Sequence, residues 1–252
     1  MSGHSKWATI KRAKGANDAK RGALFTRLLR EITVAAREGG GDQESNFRLR
    51  LAVDKARAAN MPKENVERAI ARATGQGDGA VNYEELMYEG YGPHKVPLMI
   101  KVLTDNRNRT VAEIRRMLQR SGGQLGEGSS VAWQFNRKGY IVLERTDKVN
   151  SDDVFEVAVE SGAEDVVTGD DTIEIYTDID SFRGVREALL KKGYQLATAE
   201  LSMVPTTQTQ LSPEDTRQVL GVIETLEDLD DVQQVYSNLE ISDEVLSHME
   251  AA

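Results

Sequence analysis

Residues Tyr140 to Val204 read YIVLERTDKVNSDDVFEVAVESGAEDVVTGDDTIEIYTDIDSFRGVREALLKKGYQLATAELSMV, and their punctuation decides the fold. Tyr140–Glu144 is a strand, Asp152–Ser161 recurs at helical spacing, and Glu164–Thr168 returns to the period of a strand. Gly169-Asp170-Asp171 makes a hairpin turn into the strand Thr172–Thr177. A helix over Ser181–Lys192 follows, closed by Gly193, and Gln195–Val204 is the last strand. The order β-α-β-β-α-β is that of a ferredoxin-like split βαβ unit.

On the C-terminal side, Ser212-Pro213-Glu214-Asp215 is a strong helix start: a cap, Pro at the first position and acids in the first turn. That helix runs to about Leu226, Glu227-Asp228-Leu229-Asp230-Asp231 reads as a solvated acidic loop, and Val232–Leu239 is one more strand. On the N-terminal side, Tyr83–Gly90 and Val96–Thr104 read as strands split by Gly92-Pro93. Asn106–Ser121 reads as a helix with Val111, Ile114 and Leu118 inward and Thr110/Glu113 as a capping box. Gly122-Gly123 closes it, and a Gly/Ser loop leads to Val131–Phe135. Neither C-terminal element can bury itself alone, so both are expected to complete the β-β-α region. The expected division is a discontinuous α/β domain (81–130 plus 206–245) with the ferredoxin-like domain (131–205) inserted in it.

Ahead of the Gly75–Ala80 linker the period is helical. Leu24, Leu28, Ile32 and Ala35, flanked by Phe25, Leu29 and Ala36, cover an arc of roughly 140° at 100° per residue. Arg27, Arg30 and Arg37 gather within roughly 80° on the opposite side, a cationic stripe. Helices over about 46–60 and from Pro62 to Gly75 complete a three-helix bundle, preceded by a Gly-punctuated arm. The fold class is therefore α+β: a helical bundle (1–75) and two α/β domains.

Charge divides the chain in the same way. The net charge is −9, yet residues 1–72 hold 16 basic and 8 acidic groups, while residues 73–252 hold 16 basic and 33 acidic. A basic head on an acidic trunk is drawn to polyanions and orients the encounter. Lys6, Lys11, Arg12, Lys14, Lys20 and Arg21 can neutralise about five phosphates, with a salt slope near −0.9 per contact on duplex DNA and −0.7 on single strands. Trp7 among them can stack on an exposed base; His4, Arg27 and Arg30 extend the candidate set, although Arg27 and Arg30 also read as merely solvated. Arg109, Arg116 and Arg120 share one face of the helix after Thr104 and form a second basic face.

The function classes excluded are equally definite. With no Cys there are no disulfides or thiolate sites, and a reducing, cytoplasmic compartment fits. No apolar run reaches the roughly 18 residues of a membrane helix, and no h-region of a signal peptide is present. His4, His94 and His248 are far apart and lack metal-ligand spacing, and no P-loop or dinucleotide fingerprint occurs. Neither enzyme, cofactor nor metal is expected. No heptad marks a dimer seam, so a monomer is expected.

Five blocks carry a family resemblance: GHSKWATIKRAKGANDAKRG (3–22), FTRLLREI (25–32), NFRLRLAVDKARAANMPKENVERAI (46–70), TDNRNRTVAEIRRML (104–118) and GGQLGEGSSVAWQF (122–135). Together they resemble the YebC family, over nearly the whole chain. One departure is that the family's glycine-rich turn after Glu-Gly-Tyr-Gly-Pro reads His94-Lys95 here. The resemblance implies three domains and a cytoplasmic, non-enzymatic regulator of gene expression. Members are described either as DNA-binding transcriptional regulators or as ribosome-associated translation factors that relieve stalling at proline runs. The residues lean towards RNA, because no cluster of base-reading side chains opens a helix and a Gly-punctuated arm with Trp suits irregular RNA. The expected partner is nucleic acid, DNA or ribosomal RNA, with no membrane. The alternative is a small-molecule-sensing or protein-interaction module built on the ferredoxin-like domain, by fold analogy alone.

Overall fold

The computed structural model describes residues 18–75, 82–242 and 245. The arm up to Asn17 and most of the Gly75–Ala80 linker lie outside the described residues. The chain opens with α1 (Asp18–Gly39), α2 (Phe47–Ala58) and α3 (Lys63–Ala73). Leu28, Ile32, Ala35, Leu49, Val53, Ala56 and Val66 form their shared core. Asn46 makes the corner between α1 and α2: its carbonyl oxygen accepts from Leu49 N at 3.0 Å, and its amide donates to the carbonyls of Ala35 (2.7 Å) and Gly40 (2.8 Å). One side chain thus caps the start of α2 and satisfies carbonyls that the end of α1 leaves open. Gly39 has no room for anything larger, since a Cβ there would stand 2.6 Å from the Asn46 amide nitrogen.

Next come β1 (Glu84–Tyr91), β2 (Pro97–Thr104), α4 (Arg107–Arg120) and the two-residue β3 (Gln124–Leu125). The cap of α4 is Asn106, whose side chain accepts from Arg109 N at 3.1 Å; Thr110 is buried inside the helix. The expected Thr110/Glu113 box gives way to a cap one turn earlier, because Thr110 is recruited to an interior carboxylate described below. The tight turn between β1 and β2 places both His94 (φ +56°) and Lys95 (φ +60°) in the left-handed region. Glycine enters that region without steric cost, whereas the two residues here sit in it under strain.

The third group is β4 (Phe135–Glu144), α5 (Ser151–Glu160), β5 (Ala163–Thr168), β6 (Thr172–Thr177), α6 (Phe182–Lys191) and β7 (Thr198–Pro205). The sheet order is β5-β6-β4-β7 with every neighbour antiparallel, and Ile141, Leu143, Ile173 and Ile175 pack against Val154, Phe182, Val185 and Leu189 of the two helices. This is the ferredoxin-like arrangement. β4 starts five residues before the expected Tyr140, and the reason is local. Asn136 and Arg137 are exposed, so no apolar alternation marks them. Gly139 interrupts the run because a Cβ there would meet Thr177 Oγ1 at 2.2 Å and Phe182 at 2.6 Å.

Helix α7 (Pro213–Glu227) then returns the chain to the first sheet, where β8 (Val232–Ser237) pairs antiparallel with β2, giving the order β3-β1-β2-β8. Ser212 caps α7 by accepting from Asp215 N at 3.2 Å. Leu98, Ile100 and Val102 of β2 meet Ile114, Leu118, Val219, Ile223 and Leu226 in the core between that sheet and its two helices. No helix among the described residues is long and apolar enough to cross a membrane.

Candidate nucleic-acid interface

Of the candidate contacts, His4, Lys6, Trp7, Lys11, Arg12 and Lys14 lie outside the described residues. Lys20 belongs to the first turn of α1, with its side chain likewise outside them. Arg21 is exposed, its guanidinium 5.5 Å from the Phe25 ring centroid, where the aromatic face steadies the cation.

Arg27 and Arg30 depart from the solvated stripe expected of them. Arg27 donates to the carbonyl of Glu227, at the end of α7, and Arg30 donates to the carbonyl of Asp230. Arg30 also pairs with Asp231 Oδ1 at 2.8 Å, the two side chains being 13% and 3% exposed, and lies over the Tyr83 ring. The last carbonyls of a helix carry partial negative charge and lack intrahelical donors, so arginine is well matched to them. Arg37 donates to Asn82 Oδ1 at 2.5 Å. The arginine side of α1 therefore faces the trunk. Val34 carried the signal: it lies between Arg27 and Arg30 around the helix and is only 5% exposed, although a solvated stripe has no reason to hold a valine there.

Asp231 is the centre of this contact, and the reading of residues 227–231 as a wholly solvated loop is corrected here. Its Oδ2 accepts from Thr110 Oγ1 (2.6 Å), Arg109 (2.8 Å) and Thr104 Oγ1 (3.0 Å), while Oδ1 takes Arg30. A buried carboxylate survives only when fully partnered. Although burial favours the neutral acid, the donors Thr110, Arg109 and Thr104 and the nearby Arg30 hold its pKa below the ordinary aspartate value. Arg109 is bound to Asp231 and to Asp105 (2.9 Å). It is thus separated in role from Arg116 and Arg120, which are exposed and make no ion pair among the described residues.

A second polar seam joins the bundle to both sheets. Lys55 of α2 reaches Glu200 of β7 (3.0 Å) and Glu31 of α1 (3.5 Å), and Glu200 accepts from Gln234 of β8 at 2.9 Å. Burial works against the ammonium, but Glu200 and Glu31 outweigh it and raise its pKa. A third contact, Arg186 to Asp54 at 2.5 Å, borders a cleft of about 420 Å³ that Arg50, Arg57 and Glu187 also line. Each arginine of that cleft already has an acid beside it, so the ligand-sensing alternative gains no vacant charge there. Among the described residues no group of three His, Asp or Glu side chains is placed to hold a metal ion.

Comparison with known proteins covers the chain almost end to end. A family model described as TACO1/YebC protein N-terminal domain matches residues 5–76, and one described as TACO1/YebC second and third domain matches residues 83–239. A Treponema denticola protein named "probable transcriptional regulatory protein" is 55% identical over 96% of this chain and 97% of its own. A Trichlorobacter lovleyi protein of the same name is 50% identical over 99% and 100%. The crystal structure of a conserved hypothetical protein from Aquifex aeolicus superposes with a TM-score of 0.80 at 43% identity, covering 90% of this chain and 93% of that one.

Proposed function

The chain belongs to the TACO1/YebC family, and from that premise we propose that it is a non-enzymatic regulator of gene expression that grips a nucleic-acid backbone through its basic head. The observation that carries this is the charge division: 16 basic and 8 acidic groups in residues 1–72, against 16 and 33 beyond. The names of the relatives support a regulator. An acidic trunk repels phosphate while the head attracts it, so encounter is oriented before contact. Lys6, Lys11, Arg12, Lys14, Lys20 and Arg21 supply the phosphate contacts, with His4 and Trp7 beside them. Arg27 and Arg30, engaged with the α7–β8 loop, serve instead to set the head's angle on the trunk.

The partner favoured is RNA, in the setting of a ribosome in the cytoplasm, where relief of stalling at proline runs is the family role that suits an arm without base-reading side chains. One copy of the chain suffices. Crosslinking in cells followed by sequencing of the attached nucleic acid tests this, with ribosomal RNA expected. Promoter DNA would move the assignment to transcription, and absence of enrichment would remove it. In vitro, Lys6→Ala, Lys11→Ala, Arg12→Ala and Lys14→Ala together in the full chain should abolish binding at low salt with an unchanged circular dichroism spectrum. Undiminished affinity in that variant would rule the arm out.

A further inference from the structure

Helix α4 holds five of the 16 basic groups of residues 73–252, Arg107, Arg109, Arg115, Arg116 and Arg120, and a single acid, Glu113. The trunk around it is acidic, with 33 acids against those 16 bases. Thr110, Ile114 and Leu118 are the buried side of the helix, and the last two pack with Leu98 and Ile100 of β2. At 100° per residue, Arg109, Arg116 and Arg120 fall within roughly 40° of one another on the opposite side. Their line runs about 16 Å along the helix, at 1.5 Å per residue. Arg115, Arg116 and Arg120 are exposed and make no ion pair among the described residues.

Two of these placements work against the helix that carries them. Arg107 stands in the first turn, where the helix dipole presents partial positive charge, and no acid shares that turn. Arg116 and Arg120 are four residues apart, a like-charge pair that weakens a helix. Helix α7, in the same core, is built the other way, with Glu214 and Asp215 in its first turn. Local conflicts of this kind are kept where something outside the helix needs the side chains. The arginine line also has a fixed origin. Arg109 bonds Asp231 Oδ2 at 2.8 Å while Arg30 of α1 bonds Oδ1 at 2.8 Å, so α4 and the head share one carboxylate. From there the helix runs to the far end of β1: Glu84 pairs with Thr104 beside Asp231, whereas Tyr91 pairs with β3, just past the end of α4. The cationic face thus starts at the joint and leads away from the head along the trunk.

We propose that this face of α4 is a second phosphate-binding surface, on which Arg116 and Arg120 take the backbone of a nucleic-acid strand that the basic head holds elsewhere along its length. The proposal rests on the nucleic-acid reading above and deepens it, because one strand is gripped on both sides of the joint between head and trunk. Charge selects the occupant: a cationic stripe on an acidic body complements a polyanion. The planar guanidinium suits phosphate in particular, since it can donate two parallel hydrogen bonds to it. Contacts of this kind fix position and register without reading sequence, in keeping with an arm that lacks base-reading side chains. An acidic protein segment is the competing occupant.

The test uses the full chain and two oligouridine strands, a 6-mer that the head alone can occupy and a 20-mer that can reach α4 as well. Arg116→Gln with Arg120→Gln should lower affinity for the 20-mer about tenfold and flatten its salt slope by about 1.4, two contacts at about 0.7 each. Binding of the 6-mer should stay within about twofold of the parent. Glu113→Gln, which removes the acid from the same stripe, should tighten the 20-mer about twofold. The melting temperature of the double variant should stay within about 2 °C of the parent's, since both side chains are exposed and unpaired among the described residues. A parent-like salt slope on the 20-mer in the double variant, with both strands lost in the fourfold arm variant, would overturn the inference while leaving the head in place. Loss of binding to a polyglutamate peptide, with the RNA slope unchanged, would assign the face to an acidic protein and also overturn it. If the parent chain binds neither strand at low salt, the reading on which this rests fails as well.

Discussion

Replacing Asp231 by Asn keeps the shape of the side chain but removes the charge that Arg30 and Arg109 share. The mostly buried Arg30 then loses its counter-ion, while the half-exposed Arg109 keeps Asp105, and the loss expected is about 3 kcal/mol, read as a shift in urea midpoint. The pH dependence follows from the depressed pKa of the carboxyl. An acid of this kind contributes stability that is fully present above its unfolded value of about 3.9 and is lost as pH falls through the folded one. The parent should therefore lose this contribution below about pH 4, and urea midpoints of Asp231→Asn should fall less steeply with acid over that window. Strain at Lys95 gives the opposite sign. Its φ of +60° costs an L-residue roughly 1–2 kcal/mol, and relief outweighs the extra chain entropy of glycine. Lys95→Gly should stabilise by about 0.5–1 kcal/mol in the same assay. His94 is the poorer choice for this test, because its Nε2 lies 2.8 Å from Gln218 Oε1 and a glycine would lose that bond. The role of Asp231 was not legible in the sequence, because Thr104, Thr110 and Arg30 are brought to that carboxylate only by folding and local charge density pointed the other way; the strained turn was marked only as a departure from a glycine-rich pattern at His94-Lys95.

Elements were far more legible than their ends. The alternation of β6, the capping run of α7 and the β-α-β-β-α-β order are all local signals, and each appears where its residues placed it. What local signals miss is structure imposed by a neighbour. β3 is two residues of a Gly/Ser loop that become a strand only by pairing with Gly90 and Tyr91, and the first half of β4 is polar because its register is set by β7, from Phe135↔Pro205 onward. Gly139 tests that account. Gly139→Ala forces a methyl group against Thr177 and Phe182, and overpacking of this kind costs about 1–3 kcal/mol. The expected result is a lower melting temperature with faster amide exchange in β4 and α6. Asn46→Ala should cost about 2 kcal/mol, since it removes an N-cap and strands the carbonyls of Ala35 and Gly40. Its exchange signature should be confined to the corner between α1 and α2.

The bundle meets the first sheet and its α7–β8 loop through charges, Arg27 and Arg30 on the loop and Arg48 on Glu85, and meets the second group through Lys55 on Glu200 and Arg186 on Asp54 together with the apolar Phe47 and Leu51. Interfaces of this polarity permit relative motion more readily than an apolar core does. The bundle cluster draws no residue from beyond Ala73 and the β2 cluster none from before Leu86, whereas the ferredoxin-like core takes in Phe47 and Leu51 of α2, the Phe47 ring lying 5.9 Å from that of Phe182. If the head is set on the trunk by arginine contacts, Arg27→Ala with Arg30→Ala should free its angle while leaving each core intact. Small-angle scattering of that variant should show a larger radius of gyration, with an unchanged far-ultraviolet spectrum and separate, non-coincident unfolding transitions for head and trunk. The arm is untouched by these changes, so affinity for short oligonucleotides should stay within about twofold of the parent, whereas the ribosome binding proposed above should fall if it requires head and trunk in a fixed relation. A scattering curve identical to the parent's would mean that Lys55 and Arg186 fix the angle without the arginines of α1. The same measurement on Lys55→Ala would then identify the seam that does, because Glu200 and Glu31 would be left facing each other across it.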